Sequence, residues 1–122
     1  MENKKTYTIK GWSPLSRKYF LPIGFQTELN TTIFDMKVTD ASKIKVYLDP
    51  RRCHSKESKK YHKEYTSKKG FNVYQIFELI VKTYWDAVDD IYDGDEDHIS
   101  NLALHTFTFD STTNSVYPST DS

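Results

Sequence analysis

Residues 71–94, FNVYQIFELIVKTYWDAVDDIYDG, constrain the fold more than any other stretch of the chain. Asn72 can cap a helix N-terminus, Gln75 three residues later can reach back to complete a capping box, and Phe71 with Ile76 fits a hydrophobic staple. Val73, Phe77, Ile80, Tyr84, Val88 and Ile91 then recur at helical spacing, with Tyr74, Val81, Trp85 and Tyr92 widening the apolar stripe. A stripe that wide needs a sheet beneath it and cover on a second side. Gly94 is the expected stop.

The sheet is written mainly in the first half. Thr6–Trp12 alternates Tyr7 and Ile9 with polar residues, Thr32–Val38 puts Phe34, Met36 and Val38 on one face, and Lys43–Asp49 does the same with Ile44, Val46 and Leu48. Period two over such lengths reads as half-buried strand. The TDAS between the second and third runs reads as a turn, so those two are expected to pair as a hairpin. Tyr19–Phe25 is apolar but carries Pro22 and Gly24, which demote it to an edge strand or packed loop. Leu104–Asp110 returns to alternation, with Leu104, Thr106 and Thr108 opposed to His105, Phe107 and Phe109. After the turn-like DSTTNS, Val116-Tyr117 offers a short return strand.

The expected fold class is α+β: an antiparallel sheet of four to five strands packed by one long amphipathic helix, with a charged basic insertion before it. Ser55–Lys69 reads either as a short exposed basic helix ended by Gly70 or as a mobile loop, with the helix slightly favoured. Residues 1–118 form one domain, and the tail 119–122 is expected to fray. A chain of 122 residues can build a modest core without metals or disulfides. Nine Tyr, seven Phe, Trp12 and Trp85 supply more buried ring area than a disordered chain would carry.

Formal net charge is zero, so no global field draws the molecule to nucleic acid or membrane. The charge is segregated instead. Residues 51–69 hold eight basic residues against Glu57 and Glu64, whereas residues 86–97 hold seven acids and no base. Cys53 is the only cysteine, which excludes an internal disulfide and fits a reducing compartment. No apolar run has the length of a membrane span or the pattern of a signal peptide, and the expected location is cytoplasmic.

The acidic stretch resembles a calcium loop only superficially. With Gly94 as the loop glycine, Ile91 falls on a ligand position and Ser100 on the final Glu, so two ligands fail. A looser cation site on Asp93, Asp95 and Asp97 is conceivable, but no metal or cofactor is expected. The sharper feature is position: Asp86, Asp89, Asp90 and Asp93 lie in the last turns of a helix, whose macrodipole is negative, where each exposed acid costs on the order of 0.3–1 kcal/mol. That repulsion calls for an offset, whether from the chain's own basic segment, a cation, a basic partner surface, or screening by solvent and salt.

Cys53 has Arg51, Arg52 and His54 beside it, which would favour the thiolate. A nucleophile also needs a base and an orienting group, and the sequence offers no such set. Spacings for zinc, a P-loop, a dinucleotide fingerprint or a nucleophile elbow are missing. Trp12 and Trp85 read as core aromatics.

The functional expectation is therefore a small non-enzymatic binding protein, an inhibitor or adaptor of the anti-defence type from a phage or mobile element. Asp86, Asp89, Asp90, Asp93, Asp95, Glu96 and Asp97 would engage a basic protein surface, with nucleic-acid mimicry as one means. The preference for Lys over Arg, fourteen to three, suggests an AT-rich coding genome. The alternative is binding of nucleic acid or a phosphate-bearing nucleotide ligand through Arg51, Arg52, Lys59, Lys60, Tyr61, Lys63 and Tyr65, which combine phosphate attraction with ring surface. Pairing of the two charged segments between copies, giving a symmetric oligomer, is a third use of the same charges.

Overall fold

A computed structural model describes residues 3–14, 34–53, 55–95, 99 and 102–121, and the side chains of 9–14, 103, 105 and 121 lie outside that description. In chain order the elements are β1 (Lys4–Pro14), β2 (Lys37–Thr39), β3 (Lys43–Tyr47), a 3-10 turn (Pro50–Arg52), α1 (Lys56–Lys60), β4 (His62–Thr66), β5 (Phe71–Asn72), α2 (Val73–Ile91), β6 (Ala103–Asp110) and β7 (Ser115–Asp121). The fold is α+β: a five-stranded sheet in the order β1-β6-β7-β3-β4, with α2 packed against it, and a separate two-stranded pairing of β2 with β5.

The start of α2 follows the local code. Asn72 accepts from the Gln75 amide at 2.8 Å, and the Gln75 side chain accepts from the Asn72 amide at 2.8 Å. Phe71 and Ile76 are both buried, as a staple requires. Val73, Ile76, Phe77, Ile80, Val81, Tyr84, Ala87 and Val88 face inward against Ile44, Val46, Leu48, Tyr7, Leu104, Phe107, Phe109 and Val116. At the other end Asp93 and Gly94 both take left-handed backbone, and the Gly94 amide folds back onto the Val88 carbonyl at 2.8 Å.

Four expectations change. The sheet is not wholly antiparallel, because β3 runs parallel to β7 (Lys45↔Ser115, Val46↔Val116). Lys43–Tyr47 has no hairpin with Lys37–Thr39; β2 pairs with β5 instead, through Lys37↔Asn72 and Thr39↔Phe71. Two strands separated by a turn look alike whether they pair with each other or with partners further along, and here Gly70 (φ +79°) turns the chain so that Phe71 lies against Thr39. Ser55–Lys69 is not one helix: α1 ends at Lys60, and His62–Thr66 becomes an edge strand on β3. Finally, the tail is strand through Asp121, with Thr120 fully buried, so the fraying expected over 119–122 does not describe Ser119–Asp121.

A register shift between Leu104 and Thr106 explains one further difference. The irregularity moves Leu104 onto the same buried side as Phe107 and Phe109, where simple alternation would oppose them. Thr6, Thr8, Thr106 and Thr108 share the opposite face, and their hydroxyls bond across strands at 3.0 and 3.2 Å. The apolar run at Tyr19–Phe25 and the beginning of the Thr32–Val38 strand lie outside the described residues; the described part of the latter is a turn at Phe34-Asp35 followed by β2.

Candidate functional site

The charged segments separated in sequence meet on one side of the molecule. β4 lies along α2, and its odd-numbered side chains face the helix. Tyr61 Oη donates to Asp90 Oδ2 at 2.7 Å, and Lys63 Nζ reaches the same oxygen at 3.1 Å. Tyr65 Oη meets Thr83 Oγ1 at 2.9 Å. The Tyr61 and Lys63 bonds hold the Asp90 carboxyl below the usual aspartate range. Burial, then the bond to Asp90, pushes the Tyr61 phenol up, and the bond to Asp90 raises Lys63. Part of the repulsion at the helix end is thus offset by the chain's own basic segment.

The rest of the acidic stretch divides. Asp86 is paired with Lys82 one turn earlier at 3.1 Å. Asp89, Asp93 and Asp95 are exposed, and no basic residue occupies the last turn of α2. Glu96 and Asp97 lie outside the described residues, as do His54 and His98. Among the described residues no three His, Cys, Asp or Glu side chains converge as a metal site would require.

The basic set divides as well. Arg51 bonds the Asp49 carboxylate through Nε at 3.3 Å and Nη2 at 3.2 Å, and its Nη2 also donates to Ser119 Oγ at 2.6 Å and the Thr120 carbonyl at 3.0 Å. Arg52 Nε donates to that same carbonyl at 3.1 Å. These guanidinium groups anchor β7. Tyr61 and Tyr65 are half-buried against α2, with Lys63 and Lys82 over their rings at 5.8 Å, so their faces are already in use where base stacking would need them. Lys56, Lys59 and Lys60 remain exposed on α1.

Sequence reasoning missed Asp49. It is 1% exposed and accepts from the Arg51 amide (2.9 Å), the Thr120 amide (2.8 Å) and Thr120 Oγ1 (3.0 Å), while its own amide donates to Tyr84 Oη at 2.7 Å. Burial alone would raise its pKa, but the bonds from Arg51 and Thr120 outweigh it and hold the carboxyl below the ordinary aspartate value. The Asp-Pro-Arg run was the available signal, since Asp before Pro is a cap for a tight turn. What it could not reveal is the partner strand seventy residues later.

Beside Asp49 is a pocket of about 400 Å³ with Leu48, Cys53, Tyr84, Tyr92, Ile99 and Leu102 on its walls and Arg51, Arg52, Ser55 and Ser58 as its polar lining. The Cys53 thiol is buried and donates to the Asp49 and Ser58 carbonyls at 3.1 and 3.5 Å. Burial pushes its pKa up, against the lowering expected from neighbouring arginines. Trp85 packs at the core margin, and the Trp12 side chain is outside the description. No helix among the described residues is long and apolar enough to cross a membrane. No family model, curated protein or solved structure matches this chain.

Proposed function

We propose that the protein is a non-enzymatic binding module, an inhibitor or adaptor, whose acidic helix end engages a basic surface on a protein partner. The observation that carries the reading is the exposure of a row of carboxylates at the end of α2. Asp89, Asp93 and Asp95 are exposed to solvent at the negative end of a helix dipole, and the last turn of α2 carries no basic residue of its own. A cationic partner surface would be favoured at that exposed, negative end. Charge matching of this kind chiefly sets association rate and choice of partner.

The reading through the basic segment has less support, because Arg51 and Arg52 bind β7 and Tyr61 and Tyr65 pack on α2. Capture from cell lysate with three proteins separates the two. The wild type and a Lys59→Glu/Lys60→Glu variant are expected to retain the same partner, and an Asp89→Lys/Asp93→Lys/Asp95→Lys variant to lose it. Retention by the aspartate variant with loss in the lysine variant would reverse the assignment.

A further inference from the structure

β4 is the last strand on its side of the sheet. Its pairing with β3 fixes which way each backbone group points. The Ser67 amide donates to the Ser42 carbonyl at 2.8 Å, so in an antiparallel ladder Tyr65 with Ile44 and Lys63 with Val46 are also hydrogen-bonded pairs. The Lys45 amide, by contrast, donates to Asn114 on the β7 side at 2.9 Å, which agrees with that alternation. The N–H and C=O groups of His62, Glu64 and Thr66 therefore point away from the sheet, and among the described residues no strand takes them. Beside this edge runs a groove of about 720 Å³ between β4 and α2, with Phe71, Leu79 and Tyr65 as apolar lining and Glu64, Gln75, Glu78 and Lys82 as polar lining.

We propose that the β4 edge and the groove beside it bind an extended, lysine- or arginine-bearing peptide segment as an added strand. The backbone groups of His62, Glu64 and Thr66 supply the ladder, as in other cases of strand addition. Alternate side chains of the segment then enter the groove, where their stems meet Phe71 and Leu79 and a cationic tip meets Glu78. The charge preference follows from the lining: Lys82 is already committed to Asp86, and Glu64 to Lys43 at 2.8 Å, whereas the exposed Glu78 carboxylate lines the groove. The site is separate from Asp89, Asp93 and Asp95 and does not depend on the function proposed for them.

The probe is a short synthetic peptide alternating lysine with valine. It is compared with the same peptide N-methylated at alternate residues and with its glutamate-for-lysine counterpart. Affinity is read by fluorescence anisotropy and location by backbone amide NMR. The lysine peptide is expected to shift and protect the amides of His62, Glu64 and Thr66, and N-methylation to weaken binding by about tenfold or more. Glu78→Lys should weaken it by about tenfold, while the Asp89→Lys/Asp93→Lys/Asp95→Lys variant keeps the β4 amide shifts. Glu64→Pro removes one outward donor and blocks the edge while leaving the backbone bonds to β3 in place, with loss of the Glu64–Lys43 ion pair, and it should abolish binding; if that variant does not fold, the N-methylated peptide makes the same test. Equal affinity for the N-methylated peptide, amide shifts confined to the acidic helix end, or occupation of β4 by a second copy of the chain would each overturn the proposal.

Discussion

Asp49 is a buried carboxylate whose bonds tie three parts of the chain together: the end of β3, the last residues of β7 and, through Tyr84, the centre of α2. Removing it with Asp49→Ala leaves the Thr120 amide and hydroxyl without their acceptor and should cost about 3 kcal/mol, measured by urea denaturation. The pH dependence has a definite sign. Because the folded carboxyl titrates below the ordinary aspartate value, its contribution is present above that ordinary value and is lost as pH falls through the lower folded one. Wild type should therefore lose stability in acid more steeply than Asp49→Ala, and parallel profiles would contradict the assignment. Two glycines make a matched test of backbone strain. Both have φ near +80°, but a Cβ on Gly70 would lie 2.2 Å from the Thr39 carbonyl oxygen while one on Gly94 meets nothing within 4 Å. Gly94→Ala should cost about 1 kcal/mol and Gly70→Ala about 3 kcal/mol or more. Single residues were the least legible scale in the sequence: Asp49 has a visible turn role, but its burial depends on a strand that sequence-local reasoning treats as a fraying end.

At the scale of elements, α2 was the most legible because its signals are local. A cap, a capping box, a staple and a stop all lie within one helix and need no knowledge of the rest. Pairing was less legible, since the same alternation fits several partners: β2 could not announce β5, and β7 could not announce a parallel neighbour. His62–Thr66 was read as helix because its charges hid a period of two, with Tyr61, Lys63 and Tyr65 on the helix side and His62 and Glu64 on the other. The Lys63–Asp90 contact is half-exposed at both ends, with side chains 39% and 47% accessible, so a double-mutant cycle with Lys63→Ala and Asp90→Ala should give a coupling below about 1 kcal/mol. A larger value would mean that this pair, rather than apolar packing, holds β4 to α2.

For the whole molecule, the charge segregation visible in the sequence survives folding in altered form. The two segments lie side by side, so that one lysine and one tyrosine of the basic run already serve one aspartate of the acidic run. Composition could state that the charges were unevenly distributed but not which of them fold against each other, because that depends on β4 running along α2. Asp89, Asp93 and Asp95 are exposed at the end of α2, and on that exposure the functional reading rests. The most direct measurement is the affinity of a captured protein partner for wild type and for Asp89→Lys/Asp93→Lys/Asp95→Lys, each at low and high salt. Weakening by about tenfold or more on charge reversal, with wild-type affinity falling as salt rises, is the predicted result; affinity unchanged by reversal at either salt would contradict it.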